Sequence, residues 1–529
     1  MKKEAKQSGK IAKSAGTVSI AVMCSRVLGL VREQIFAGMF GAGLAYDAFV
    51  VAFRIPNLLR DLFAEGALSA AFITVFTDYD TNRSKEETWR LASNVLVFFA
   101  ILLSIITLLG MYFAEPLVNL LASDFSTVEG KLQLTTLLTR IMLPFLVVIS
   151  LAAVVMGILN AKGKFFVPAM ASAFFNLGSI IGGVSLAFIL PQFGYPAIVG
   201  MAAGTLIGGI LQLSIQFPAL MKCGFKFTPR LSLKDPGLKR IITLMIPAII
   251  GLSPTQINIF INTNFASSCV EGSVSWLNYA FRLVQLPIGI FGVALSIAAM
   301  PVLARHAAKK DIKGMKETMV SSLTMVFSLT IPATIGLMLL AQPIIHIIFE
   351  RGAFTSYDTV ATANTLVLYA IGLFAYSSNK ILVPVFYALE DTKYPLIASF
   401  IAVAANILII NLTIDTYQHL AIAFSTSCSM ILNFLFLSSV LYLKTGGYSV
   451  RYLLKALMKI AVAGLAMAAF LFWSRNFFIN QLEGSILQSS GILFLIITVA
   501  VMLYGVLLHQ MKLPELTSVT RKIHEKFRR

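Results

Sequence analysis

Charged side chains are scarce in this sequence. Only 12% of its 529 residues are Asp, Glu, Lys or Arg, whereas 57% are hydrophobic; an average soluble domain is about 25% charged. A soluble fold of this length has too little interior to bury so much apolar surface. Apolar runs of about 20 residues recur along the chain, and each can cross a hydrocarbon core about 30 Å thick. We therefore expect an all-α polytopic membrane protein.

The sequence also lacks the motifs of several enzyme classes. It contains no GxxxxGK[ST] phosphate loop, no GxSxG nucleophile turn and no HExxH helix. Its four cysteines show no CxxC spacing and its five histidines form no ligand pattern. We therefore expect no metal site, no cofactor and no catalytic residue. A transporter that does not hydrolyse ATP itself is the class that remains.

Hydrophobic runs, read against prolines, glycines and charges, predict about fourteen transmembrane helices. An even number places both termini on the same side of the membrane. The predicted spans are 12–40, 45–78, 89–114, 133–160, 166–190, 195–218, 238–263, 273–303, 318–342, 360–388, 394–413, 418–443, 452–473 and 486–511.

The basic residues predict the orientation of these spans. With both termini in the cytoplasm, 32 of the 42 Lys and Arg residues fall in inner segments, and only Lys131, Arg351 and Arg475 fall in outer loops. This is the positive-inside bias. The net charge of +18 thus reflects topology and attraction to anionic membrane lipids, and it does not require nucleic acid. We expect a multi-pass protein of the cytoplasmic (inner) membrane with cytoplasmic termini.

Apart from basic residues near the inner ends of spans, which are counted with the inner segments, seven basic residues lie inside the predicted spans. They are Arg26, Arg32, Arg54, Arg60, Arg140, Arg282 and Lys380. A basic residue at mid-membrane costs about 2.5–3.5 kcal/mol on insertion scales, so it normally faces a protein interior or a watery cavity. Four of the seven lie in the first two spans, where Pro56 and Asn57 interrupt the second helix. Arginine suits phosphate because its planar fork donates two parallel hydrogen bonds and keeps its charge. The pattern indicates an anionic, lipid-linked cargo.

Internal neutralisation is the alternative explanation for these arginines. Acidic residues lie beside them at Glu33, Asp47, Asp61 and Glu65. Arg32 would then pair with Asp47, and Arg60 with Asp61 or Glu65, while other side chains reach the interface. The alternative stays open for any single arginine. It is less economical for the whole set, because the first, second and eighth spans would all need structural ion pairs.

Four stretches of the sequence resemble one known family. They are SRVLGLVRE at 25–33, YDAF at 46–49, RIPNLLRDLFAEGA at 54–67 and GSVSWLNYAFRL at 272–283. Together they resemble the MurJ/MviN family of lipid II flippases, and the resemblance covers essentially the whole chain.

This resemblance implies the MATE-like fold of the multidrug/oligosaccharidyl-lipid/polysaccharide exporter superfamily. Helices 1–6 would form an N-lobe in residues 1–220, and helices 7–12 a C-lobe in residues 221–445. Two extra helices at 446–513 would form a groove for a lipid tail, followed by a basic cytoplasmic tail at 514–529.

The resemblance also implies a cargo, which is lipid II, an undecaprenyl-diphosphate that carries the disaccharide-pentapeptide of peptidoglycan. It would move from the inner to the outer leaflet by alternating access, driven by membrane potential or an ion gradient, for cell wall synthesis. Coupling to Na⁺ or H⁺ is left open, because the family's polar set in helices 7, 11 and 12 cannot be matched residue by residue. We expect a monomer, and association with cell-wall synthesis or division proteins is left open.

The family positions reported as essential give the predicted substrate-binding residues. They are Arg26, Arg32, Asp47, Arg60 and Arg282. The secondary candidates are Glu33, Arg54, Asn57, Asp61 and Glu65. Two alternatives remain: an exporter of another lipid-linked oligosaccharide, and a non-transporting membrane scaffold of the wall-synthesis machinery.

Overall fold

The computed structural model describes residues 2–478, 481 and 485–515, with side chains from residue 20 onward except those of residues 63–65. Regular secondary structure in these ranges is helical, without strands, which confirms the predicted all-α class. The predicted basic tail lies outside the described residues from position 516 onward, and so does the side chain of Glu65.

The chain divides into two compact units, Met1–Gly272 and Ser273–Arg529. The helices of the first unit are α1 (Lys2–Phe40), α2 (Leu44–Arg60), α3 (Ala67–Asn82), α4 (Lys85–Tyr112), α5 (Ala114–Leu121), α6 (Lys131–Met142), α7 (Phe145–Ala161), α8 (Phe166–Ile189), α9 (Ile198–Ser214), α10 (Phe217–Lys222) and α11 (Pro236–Ser267). Because α11 packs against α3, the first unit extends beyond position 220, where the predicted N-lobe ends.

The second unit begins with the helix that carries Arg282. Its helices are α12 (Ser273–Pro287), α13 (Ala294–Ala308), α14 (Ile312–Leu339), α15 (Ala341–Phe349), α16 (Ser356–Ile371), α17 (Leu373–Ala388), α18 (Lys393–Tyr417), α19 (His419–Lys444), α20 (Val450–Phe477) and α21 (Ile486–Gln510).

Eleven helical stretches of the described chain are long and apolar enough to cross a membrane, and the pair α16 and α17, bent by 41°, makes a twelfth. The first two predicted spans fall outside these criteria. The described part of α1 carries three charges within its apolar run, and the second span is divided between α2 and α3. With these two stretches, the order of helices is consistent with the predicted fourteen spans.

Glycines allow α8 and α9 to pack closely in the first unit. Gly200, Gly204 and Gly208 recur every four residues along α9, and a Cβ built on Gly204 would lie 2.4 Å from the Cα of Gly183 on α8. Inside a membrane, helices gain little from the hydrophobic effect, so small residues that permit close contact favour association. This contact holds α8 in place, and α8 in turn packs against α1.

The two C-terminal helices pack on α14 of the second unit. Phe327 of α14 shares a buried cluster with Ile460 of α20 and Ile496 of α21. The Tyr504 hydroxyl of α21 donates a hydrogen bond to the Ser328 carbonyl at 2.8 Å, which satisfies a polar group that lipid could not. The opposite faces of α20 and α21 are apolar and exposed, as expected for surfaces that contact lipid.

The two units repeat one local architecture. In the first, α2 contains Pro56 and continues through a six-residue π-helix, Asp61–Gly66, into α3. In the second, α12 ends at Pro287 and continues through a six-residue π-helix, Ile288–Val293, into α13. The first π-helix packs against α7, and the second packs against α17. Single π turns within α-helices are rare and often mark functional positions.

Candidate functional site

Arg32 is largely enclosed, although it lies in an apolar helix. Only 11% of its side chain is exposed, and its Nη2 donates to Glu33 Oε1 at 2.8 Å. The guanidinium also lies 5.4 Å from the ring centre of Phe175 on α8, within the range of a cation–π contact. Its buried Nε has no hydrogen-bond partner among the described residues. Arg32 is thus held in place while keeping a donor to offer.

Glu33 is held from a second side by α2. The Tyr46 hydroxyl donates to Glu33 Oε2 at 2.8 Å, and both side chains are buried. A buried carboxylate needs such donors, because an unsatisfied charge in a low-dielectric interior is very costly. The chain Arg32, Glu33, Tyr46 therefore links α1 to α2 and fixes the direction of the arginine.

Asp47 lies in another buried ion pair. Its Oδ2 accepts hydrogen bonds from Lys131 Nζ and from the backbone N–H of Gly272, each at 3.0 Å. The alternative pairing of Arg32 with Asp47 is therefore wrong, since Arg32 pairs with Glu33. Lys131, counted among the outer-loop charges, is instead a buried first residue of α6.

Arg60 forms the ion pair that the neutralisation alternative predicts with Asp61. Its Nε and Nη2 donate to Asp61 Oδ1 at 3.2 and 2.9 Å, and both side chains are about a quarter exposed. The other Asp61 oxygen lies 3.5 Å from Gln256 Nε2 of α11. This pair stands at the start of the first π-helix, so it ties that turn to α11.

The remaining predicted residues of the first unit lie on α1 and α2. Arg26 is exposed and makes no ion pair with a described residue. Arg54 and Asn57 are half-buried on α2. Two of the predicted arginines thus form separate ion pairs, Arg32 with Glu33 and Arg60 with Asp61, whereas the Arg26 side chain is exposed.

Arg282 belongs to the second unit, where it is half-buried on α12. The same helix is anchored near its start, because Trp276 Nε1 donates to Asp358 Oδ1 of α16 at 2.9 Å. Asp358 also closes a capping box with Thr355 at the start of α16. The arginine is therefore carried by a helix whose first turn is fixed within its own unit.

The sequence does not reveal the roles of Lys131 and Tyr46. Lys131 falls in the positive-inside count as one of three outer charges, and Tyr46 enters only as part of the YDAF stretch at 46–49. One sequence signal points to Lys131: it lies two residues before the span predicted at 133–160, and Glu129 is the only acid within five residues of it.

The described residues hold no cluster of His, Cys, Asp or Glu that could bind a metal ion. A cavity of about 710 Å³ lies in the second unit beside the ends of α14, α19 and α20. None of the predicted site residues lines it.

Comparisons with known proteins agree on one family. A family model described as lipid II flippase MurJ matches residues 36–490. A Vibrio cholerae protein named probable lipid II flippase MurJ is 35% identical over 488 residues, which cover 91% of this chain and 92% of that protein. A Burkholderia cenocepacia protein named lipid II flippase MurJ is 35% identical over 398 residues, which cover 74% and 75% of the two chains.

Solved structures show the same relationship. A lipid II flippase MurJ in an inward closed conformation superposes with a TM-score of 0.77 at 28% identity, covering 94% of this chain and 98% of that one. An inward-facing MATE family transporter of the MOP superfamily superposes with a TM-score of 0.66 at 16% identity, covering 81% and 98%. The second likeness shows a shared fold and confirms the predicted MATE-like architecture.

Proposed function

This chain belongs to the lipid II flippase MurJ family, and from that premise we propose that it moves lipid II from the inner to the outer leaflet of the cytoplasmic membrane. The chain is an integral membrane protein, as its long apolar helices require. Relatives at 35% identity over most of its length are named for this activity, which supports the proposal. The movement supplies a lipid-linked precursor for wall synthesis outside the cell.

The enclosed position of Arg32 is the structural observation that supports this proposal most strongly. An enclosed arginine in an apolar helix is costly, and a diphosphate headgroup gives such a residue a function. The side chain is fixed by Glu33 and Phe175, so little conformational entropy remains to be lost when it binds an anion. We assign it the central contact with the diphosphate.

Three other arginines are further candidate contacts for the headgroup. Arg26 and Arg60 of the first unit and Arg282 of the second are basic residues of the same membrane-embedded set. In the proposed cycle the headgroup crosses by alternating access while the prenyl tail stays in lipid along the exposed apolar faces of α20 and α21. Arg60 would bind less strongly than Arg32, because Asp61 already accepts two of its hydrogen bonds.

Membrane potential supports outward movement of an anionic headgroup. With the inside negative, each charge carried outward gains about 2.3 kcal/mol per 100 mV. A returning empty carrier with net charge would offset part of this gain. Coupling of this movement to Na⁺ or H⁺ is a further proposal.

Depletion of the protein tests the proposed function. Spheroplasts depleted of it should lose lipid II on the outer leaflet, measured with an impermeant probe of the lipid II headgroup, while total lipid II is maintained or rises. Re-expression of the wild type should restore labelling, and Arg282→Ala at equal protein level should not.

Three outcomes would contradict the proposal. Normal outer-leaflet labelling after depletion, in a strain without a second flippase, would rule it out. Normal labelling with Arg282→Ala, together with defective wall synthesis, would favour the scaffold alternative. Loss of a different lipid-linked sugar, with lipid II unaffected, would identify another cargo.

A further inference from the structure

A polar joint, buried around Asp47 and Lys131 and exposed at Glu271, lies at the predicted outer end of the first unit. It consists of Leu44, Asp47, Lys131, Glu271 and Gly272, and it connects the start of α2, the start of α6 and the segment 268–272. We propose that Lys131 is a positioning residue for lipid II movement, which holds the Asp47 carboxylate and through it fastens segment 268–272 to α2. The inference rests on the proposed function and adds to it a residue outside the predicted cargo-binding set.

Two separate hydrogen bonds fasten the same pieces of chain. Asp47 Oδ2 accepts from the Gly272 N–H at 3.0 Å, and Glu271 Oε1 accepts from the Leu44 N–H at 2.8 Å. Leu44 is the first residue of α2, and the first N–H groups of a helix have no partner within the helix. Glu271 therefore supplies the missing acceptor for the start of α2. In the opposite direction, Asp47 of α2 accepts a hydrogen bond from Gly272, the neighbour of Glu271 in segment 268–272.

Burial makes the Asp47–Lys131 pair interdependent. The side chains are only 2% and 5% exposed, and the two atoms lie 3.0 Å apart. A buried charge that loses its partner is strongly destabilised. Removing the lysine takes away the cation that contacts the Asp47 carboxylate at 3.0 Å, which should loosen that carboxylate and with it the acceptor that holds Gly272.

The second unit contains a corresponding joint built without an ion pair. Asp47 is the fourth residue of α2, and Trp276 is the fourth residue of α12. Trp276 Nε1 donates to Asp358 near the start of α16, just as Lys131 joins α6 to α2. The helix pairs α2 with α6 and α12 with α16 pack together in the two units. Both units therefore link the start of one helix to the start of another, by an ion pair in the first unit and by a neutral donor in the second. Because the link recurs while its chemistry differs, we infer that its role is to hold the helices together.

The fastened segment is the last part of the first unit. The next residue, Ser273, begins α12, which carries Arg282. Gly272 has a φ of +92°, a conformation that glycine adopts without strain. Helix α12 continues directly from this segment, so loosening the segment should impair the transport cycle and leave cargo affinity in place.

Cys269 provides a reporter inside this segment. Burial, with a smaller contribution from Asp124, raises the pKa of its thiol to about 12, so it should react slowly with maleimide at neutral pH. The other three cysteines, Cys24, Cys223 and Cys428, would be replaced by serine in the full-length protein. Labelling of Cys269 in detergent then measures how firmly segment 268–272 is held.

The test compares four variants in this background: Lys131→Met, Lys131→Arg, Asp47→Asn and the control Glu129→Gln, an exposed charge two residues from Lys131. We expect Lys131→Met and Asp47→Asn to label at least tenfold faster and to lose at least tenfold in lipid II translocation. Their affinity for lipid II should stay within about threefold of the wild type. Lys131→Arg and Glu129→Gln should resemble the wild type in all three measurements.

A cargo-binding role for Asp47 predicts a different result. Asp47→Asn would then lower lipid II affinity with no change in Cys269 labelling, and Lys131→Met would still translocate. Either that pattern or wild-type labelling in Lys131→Met overturns the proposal. If the wild type itself fails to move lipid II, the proposed function fails, whereas the labelling rates still report on the joint.

Discussion

Among single residues, Arg32 has contacts that a lysine in its place could not reproduce. We expect Arg32→Ala to abolish lipid II translocation, and Arg32→Lys to lower lipid II affinity by about tenfold, because lysine keeps the charge but loses the bidentate fork and the stacking on Phe175. The measurement is lipid II binding by the purified protein, together with outer-leaflet labelling in a depletion strain.

Arg140 is the matched control for this comparison. It also lies in a predicted span, but it is exposed and its Nε donates to the Met111 carbonyl at 3.3 Å. Arg140→Ala should leave binding and translocation unchanged. Equal activity of Arg32→Lys and the wild type would show that charge alone is recognised.

Residue identities were predictable from the sequence, but ion-pair partners were not. The charges in the first two spans attract attention on hydropathy alone, and Arg60 with Asp61 follows from adjacency. Asp47 instead pairs with Lys131, 84 positions away. Such a choice depends on how helices pack and on which side chains reach each other, and neither is written in local spacing.

Among the helices, α8 and α9 make an especially close contact. Gly204→Ala places a methyl group 2.4 Å from the Gly183 Cα, and we expect overpacking to destabilise the protein by about 1–3 kcal/mol. The measurement is the midpoint of thermal unfolding in detergent, together with the membrane level of the protein.

Gly505 of α21 offers the control, since a Cβ there meets nothing within 4 Å among the described residues. Gly505→Ala should be neutral or slightly stabilising, because alanine favours the helix. Equal midpoints for the two alanine variants would contradict the close contact.

Several helices agree with the predicted spans to within a few residues, whereas α1 begins ten residues earlier than predicted and the two π-helices were not predicted. The helices Lys393–Tyr417 and Ile486–Gln510 differ from the predicted spans, 394–413 and 486–511, only at the ends. Hydropathy predicts such spans because lipid requires a continuous apolar run. It carries no information on whether a turn bonds to the fourth or fifth residue, so Asp61–Gly66 and Ile288–Val293 read as ordinary helix.

For the whole molecule, the positive-inside bias predicts which loops lie in the cytoplasm and which lie outside. We expect reporters fused after Arg83 and after Lys164 to be active in the cytoplasm, and reporters fused after Asp124 and after Arg351 to be active outside, because basic residues concentrate in the inner segments. The measurement pairs alkaline phosphatase with a fluorescent protein at each site.

A single misassigned span would reverse every later site. Reversal at Arg83 and at every later site would therefore locate an error in the first two spans, whereas agreement at Arg83 with reversal from Asp124 onward would locate it in the third span. These fusions also test whether α2, its π-helix and α3 form one crossing, which is the stretch that fails a simple criterion of length and apolarity.

The π-helices have a consequence for the history of the chain. A π turn contains one more residue than the α turn it replaces, so a one-residue insertion into an α-helix can create it. Here one follows a helix of 17 residues in the first unit, and another follows a helix of 15 residues in the second. Two independent insertions at corresponding points are less economical than one insertion in a half-length ancestor that later underwent gene duplication. On that reasoning the turn is older than the two-lobed protein, and each lobe inherited it.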